Sequence, residues 1–259
     1  LASAGARRIG SRRMRVVFLG ATKGMGRALA RRMVERGEQL FLLGREADEL
    51  ARSAADLQAR HPQHAPIGAA PCDLADPTGF AAALDAADAA LGGFDTVVVT
   101  AGLFATQEAM EEDVALAERV LAVDFTGTVI FCEHARKRLL ARGGGSLCVF
   151  SSVAGERGRK PVVLYGAAKA GLSRYLEGLD HKYRAQGLVT VCVKPGFVKT
   201  GMTAGLKAPP FAGEPEQVAA AVLTAIDRKR PEVYAPSVWR WVMLVIRWLP
   251  RFVMRKIKF

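Results

Sequence analysis

The sequence predicts an α/β protein in which one open, parallel sheet is wound on both faces by helices. Short apolar or β-branched runs alternate with longer helical stretches from Val16 to Ala235, the pattern of strand–helix–strand units. Thr96–Val99 is continuously β-branched or apolar, as in a strand covered on both sides. The first run ends in a glycine turn, Gly20-x-x-x-Gly24-x-Gly26, which opens a helix. With 259 residues, the chain can bury one substantial core.

The elements follow in order. Val16–Leu19 is the first strand, and the glycine turn leads into a helix from about Met25 to Arg36. Gln39–Leu43 is a second strand, and Glu46–Arg60 a helix ended by His61-Pro62. Ile67–Cys72 forms a third strand, Pro77–Leu91 an alanine-rich helix and Thr96–Val99 a fourth strand. One long helical stretch runs from Glu111 to Arg142, where Gly143-Gly144-Gly145 breaks it. Ser146–Phe150, Val189–Lys194 and Glu232–Ala235 are the remaining strands; Leu164–Arg184 and Glu214–Arg228 are the helices between them. No repeat or linker divides residues 14–235, which read as a single domain. Residues 1–13 read as a disordered leader without the apolar stretch of a secretory signal. Residues 236–259 form a basic amphipathic C-terminal segment.

Half the residues are apolar (50%) and 24% are charged, ordinary for a globular protein. Cys72, Cys132, Cys148 and Cys192 have no metal-ligand or redox-motif spacing, so no metal site is expected. They read as reduced, buried thiols of a cytoplasmic protein. The net charge of +12 is concentrated at the two ends, and Pro236–Phe259 contains no acidic residue. That asymmetry calls for an anionic partner. No zinc-finger or recognition-helix pattern accompanies it, so a membrane surface is expected rather than nucleic acid.

The glycine turn after the first strand suits a dinucleotide: glycine allows close backbone approach to a pyrophosphate, whose charge sits well at a helix N-terminus. Arg45 at the end of the second strand and Lys23 in the turn stand where an acidic residue would bind a ribose 2′-hydroxyl. Two cations there suit a 2′-phosphate, so NADP(H) is expected over NAD(H); the other reading makes them solvated surface charges. Tyr165-x-x-x-Lys169 puts a phenol and an ammonium on one helix face. A neighbouring ammonium lowers a phenol's pKa from about 10, which makes it a usable acid or base near neutrality.

The glycine spacing, Thr100-Ala101-Gly102, Ser152 followed by Tyr165, and Pro195-Gly196 with Thr200 together resemble the short-chain dehydrogenase/reductases, over about Met14 to Tyr234. The resemblance implies a Rossmann-like fold and hydride transfer between nicotinamide and a carbonyl carbon. It implies that Tyr165 donates the proton, Ser152 holds the developing oxyanion, and Lys169 binds the nicotinamide ribose and tunes the tyrosine. It places Asp73 beside the adenine, Ala101 and Gly102 near the adjacent ribose, and Thr200 near the carboxamide. Thr22, Met25, Leu74, Pro195, Gly196 and Val198 complete the implied cofactor set. Members commonly form dimers or tetramers. One position departs from the pattern: Val123-Asp124-Phe125-Thr126-Gly127 carries Asp124 where the family has asparagine. Ionised aspartate only accepts hydrogen bonds; it could hold Lys169 directly or become protonated in the interior.

In the last segment Arg240, Arg247, Arg251 and Lys258 would align along one helical stripe, with Trp241, Val245, Trp248, Phe252 and Ile257 largely away from it. The apolar run Trp241–Ile246 is too short to span a bilayer. A cationic, tryptophan-bearing amphipathic helix kinked at Pro250 suits the membrane interface, here the inner face. The alternative is that it packs on a neighbouring subunit or covers the substrate cleft. Lys194-Pro-Gly-Phe-Val-Lys-Thr-Gly-Met-Thr-Ala-Gly-Leu-Lys207 and the stretch from Tyr234 to Lys256 resemble the decaprenylphosphoryl-2-keto-ribose reductases. This implies a keto-sugar carried on a polyprenyl phosphate. A lipid ketone of the 3-ketosphinganine or 3-oxoacyl type is the alternative substrate, and a non-catalytic nucleotide-binding assembly protein the alternative function. Leu103, Phe104, Gly155, Glu156, Phe197 and residues 201–213 are expected to outline the pocket.

Overall fold

The computed structural model describes residues 13–205 and 208–257. Residues 1–12 of the expected leader and Lys258 of the expected stripe lie outside the described residues. One sheet contains β1 (Arg15–Leu19), β2 (Gln39–Gly44), β3 (Gly68–Pro71), β4 (Thr96–Val99), β5 (Gly145–Phe150), β6 (Leu188–Pro195) and β7 (Glu232–Ala235). The order is β3-β2-β1-β4-β5-β6-β7, with every pairing parallel. The order reverses between β1 and β4, so a crevice opens there at the carboxyl ends of the strands, where doubly wound sheets bind ligands.

Strand side chains alternate between faces, and the core divides accordingly. Val16, Phe18, Leu40 and Leu42 face α1 (Gly24–Glu35), α2 (Ala47–Arg60) and α8 (Pro215–Asp227). Val17, Leu19, Phe41 and Leu43 face α3 (Phe80–Leu91), α6 (Thr128–Ala141) and α7 (Val163–Tyr183). Val97, Val98 and Val99 of β4 are all buried, as the β-branched run requires. All four cysteines are buried and free.

The expected helix from Glu111 to Arg142 is instead four pieces. α4 (Gln107–Glu112) stops, and Asp113 caps α5 (Val114–Leu121) by accepting from Leu116 N at 3.1 Å. Ala122–Gly127 then winds as a π-helix before α6 begins. Thr128 Oγ1 donates to Val123 O at 2.7 Å across the widened turn. Such bulges occur often at functional sites, and this one carries Asp124. The apolar periodicity hides the break, because a cap and one extra residue per turn hardly alter it.

The C-terminal segment forms α9 (Val238–Trp248) and α10 (Arg251–Lys256), parted at Pro250. α9 is two-sided. Trp239 and Met243 are buried against Val153 and Tyr234, with Val242 and Ile246 partly buried beside them. Trp241, Leu244, Val245 and Trp248 point outward together with Arg240. Among the described residues no helix is long and apolar enough to cross a membrane.

Candidate active site

The crevice is a cleft of about 420 Å³ at the ends of β1, β4, β5 and β6. At its cofactor end, Gly20 has φ +101°, and a Cβ there would lie 2.5 Å from Ala101 N. No other residue fits so tight a turn. Thr100 Oγ1 donates to Gly20 O at 2.9 Å and so clamps β1's turn to the end of β4. Met25, Gly102, Pro195, Gly196, Val198 and Thr200 line the cleft. Thr22 O accepts from Arg27 Nε at 2.8 Å, and Asp73 Oδ1 from Ala75 N at 2.9 Å. Leu74 is buried. This backbone turn at a helix start fits a dinucleotide's pyrophosphate.

The two cations expected to meet a 2′-phosphate each carry a carboxylate. Lys23 Nζ lies 2.7 Å from Glu49 Oε1, and Arg45 Nε 2.8 Å from Glu46 Oε1. The expectation of cations without an acidic neighbour is therefore corrected: the start of α2 supplies two acids that lie farther along the chain than the end of β2.

At the chemical end, α7 presents Tyr165 and Lys169 on one face, with Lys169 Nζ 5.6 Å from the centre of the tyrosine ring. Phe104 meets that ring edge-on at 5.2 Å. Lys169 is buried; its Nζ donates to Asp124 Oδ1 at 3.1 Å and to Phe150 O at 3.4 Å. Asp124 is wholly buried, and its Oδ1 also accepts from Leu103 N at 3.1 Å. The two adjacent serines have different surroundings. Ser151 is buried and its Oγ donates to Lys169 O at 2.9 Å, whereas Ser152 lies half-buried at the cleft and accepts from Ala154 N at 3.0 Å.

The charges are coupled. Burial works against the Lys169 ammonium, yet Asp124 and Tyr165 together with Cys192 outweigh it and hold the lysine above its ordinary value. Burial pushes the Asp124 carboxyl above the usual range, with Lys169 pulling against it. For Tyr165, burial raises the phenol's pKa, Lys169 lowers it, Asp124 raises it and a Ser152 hydrogen bond lowers it; the net direction is upward. The expected lowering by Lys169 is therefore present but outweighed, chiefly by burial, in the protein alone. Lys169 is paired with a carboxylate where the family pattern has a neutral side chain, and Tyr165 is partly buried.

The sequence profile described as short chain dehydrogenase matches residues 14–210. The chain belongs to the short-chain dehydrogenase/reductase family.

As a family member it is an NAD(P)-dependent oxidoreductase with a Rossmann-like fold. An uncharacterised oxidoreductase of Mycobacterium tuberculosis is 35% identical over 246 residues, 93% of this chain and 96% of that protein. Cis-4-hydroxycyclohexanecarboxylate dehydrogenase of Sinomonas cyclohexanicum is 33% identical over 74% of this chain and 76% of its own. In fold, the structure of a short-chain type dehydrogenase/reductase from Mycobacterium ulcerans matches with TM-score 0.78 and 23% identity, over 85% of this chain and 86% of that one.

The oxidoreductase's cleft also contains residues that sequence reasoning missed. Trp239 from α9 forms part of its wall, and Arg159, Val153, Ala154 and Val162 line it. Gly196 carried a signal for the tryptophan, because any Cβ there would collide with the indole. Leu103, Phe104 and Phe197 line the pocket as expected, with Met202, Thr203 and Pro209 from the 201–213 loop. Gly155 and Glu156 do not line it: Gly155 packs against the Lys169 backbone, and Glu156 turns away toward Lys194.

Proposed function

We propose that this enzyme reduces a ketone on a membrane-lodged, phosphate-bearing substrate, a polyprenyl-phosphate keto-sugar, with NADP(H) as preferred cofactor. The observation that carries the reading is α9, which contributes Trp239 to the cleft wall while its opposite face exposes Trp241 (65%) and Trp248 (81%). Phe252 of α10 and Phe211 of the 201–213 loop are exposed as well. Arg240, Arg251, Arg255 and Lys256 add exposed positive charge. A helix of this kind lies in the headgroup region of an anionic bilayer, which would bring the cleft close to a lipid-borne substrate.

Bound NADPH supplies the hydride. Tyr165 gives its hydroxyl proton to the carbonyl oxygen, and Ser152 donates a hydrogen bond to the same oxygen as charge develops there. Lys169, kept ionised by Asp124, would bind the nicotinamide ribose. A phenol held protonated suits the reductive direction, since it must start as the acid. Arg159 places a guanidinium among the cleft's lining residues, which also include Glu108 and Lys169, and a guanidinium suits a phosphate or carboxylate. The relative named for cis-4-hydroxycyclohexanecarboxylate, an anionic ring alcohol, supports that preference. Lys23 and Arg45 support NADP(H), with the 2′-phosphate replacing Glu49 and Glu46 as their partner.

Turnover of a polyprenyl-phosphate keto-sugar against long-chain keto lipids, both in anionic vesicles, tests the substrate. The keto-sugar should be preferred, and Arg159→Met should raise its KM about tenfold. Equal turnover of 3-oxoacyl chains would favour the lipid-ketone reading, which the apolar lining of Leu103, Phe104, Phe197 and Trp239 supports. Tyr165→Phe should abolish turnover and leave NADPH binding intact; normal reduction by that variant would refute the assigned proton donor.

A further inference from the structure

Away from the cleft, the protein buries a second group of charges that the reaction does not use. Glu156 has only 1% of its side chain exposed and Lys194 5%; their ion pair is 2.7 Å long. Tyr234 Oη donates to Glu156 Oε2 at 3.0 Å, and Arg247 Nη1 approaches the same oxygen at 3.4 Å. Glu232 is a second partner of Lys194. Four separate elements meet at this carboxylate: the turn after β5, the end of β6, β7 and α9.

The turn in question is Val153–Glu156, and its capping residue is Ser152. Ser152 Oγ accepts from Ala154 N, and Ser152 O accepts from Gly155 N at 3.1 Å. One end of this single 3-10 turn therefore sets the rotamer of the cleft serine, and Glu156 holds the other. A carboxylate gripped by an ammonium, a phenol and a guanidinium on three different elements allows one placement of that turn. An apolar contact is less directional than these three, and a buried ion pair is by itself weak evidence of added stability.

We propose that Glu156 is a positioning residue for the reductase: it fixes the Val153–Glu156 turn so that the Ser152 hydroxyl faces the substrate oxygen. The proposal rests on Ser152 acting at that oxygen, as set out above. Glu156→Gln keeps the side chain's shape and removes its charge. Its kcat should fall about tenfold with the KM for NADPH unchanged, and in a Ser152→Ala background the same change should cost less than about twofold. Tyr234→Phe, which removes one hydrogen bond from Glu156, should repeat the pattern at about two- to threefold. Single-turnover rates with enzyme in excess make the slow variants measurable, and melting temperatures report folding. Equal losses with and without the serine hydroxyl would overturn the proposal, as would an unchanged kcat in both variants. Should Ser152→Ala itself reduce substrate normally, the fault would lie in the role given to the serine.

Discussion

Asp124 is the residue at which this site departs most from the asparagine of the family pattern. Its carboxylate takes one hydrogen bond from Lys169 and, after burial, which is the larger cause, adds to the upward push on the Tyr165 phenol that keeps the proton donor protonated. Asp124→Asn removes the negative charge. The Tyr165 pKa should then fall, so the loss of ketone reduction on the alkaline side should begin at lower pH than in the unsubstituted enzyme. Alcohol oxidation, which needs the phenolate, should set in at lower pH as well. Paired pH profiles of kcat in both directions check this, and a shift toward higher pH would contradict the assigned coupling. Asp124 itself was legible in the sequence because it breaks a spacing pattern. Its effect on Tyr165 was not, since the sign depends on burial and on a contact spanning 45 residues. Glu156 was legible only as a pocket residue; nothing local says that it faces Lys194, 38 residues on.

At the scale of elements, short continuous apolar runs located all seven strands, most of them covered on both faces, and longer helical stretches the main helices. The patterns failed where a polar cap or a π turn changes the chain's direction without changing its hydrophobicity, as at Asp113 and Ala122–Gly127. They failed differently in α9, whose apolar residues serve two surfaces. The inward stripe of Trp239, Met243 and Ile246 docks on the domain, so covering the cleft and facing outward are both true of one helix. The two faces should separate by mutation. Trp241→Ser with Trp248→Ser should cut co-sedimentation with phosphatidylglycerol vesicles about tenfold and leave the melting temperature unchanged. Trp239→Ala should destabilise the protein by about 3 kcal/mol. Vesicle binding that survives the double change would assign the outer face to another protein surface.

At the scale of the whole molecule, the reversal of strand order between β1 and β4 gathers residues from Gly20 to Thr200 at one rim. The alternation of elements made that architecture legible, and ordered motifs at fixed spacing located its chemistry. The tail's seat remained hidden because backbone bonds from distant side chains secure it: Arg157 Nη2 reaches Leu249 O at 2.9 Å and Lys160 Nζ reaches Arg255 O at 2.6 Å. Neither arginine nor lysine announces a carbonyl partner about a hundred positions away.

The burial of every sulfhydryl has a practical consequence. Burial pushes the Cys192 thiol up to about 11 and Cys72 to about 12, so neither ionises nor meets reagent while the fold is closed. A thiol-reactive dye therefore times opening events, with one reporter just after β3 and the others within β5, β6 and α6. Mass spectrometry of partly labelled protein should find Cys72 tagged first if the sheet frays from that margin, and all four tagged together if it opens as a unit.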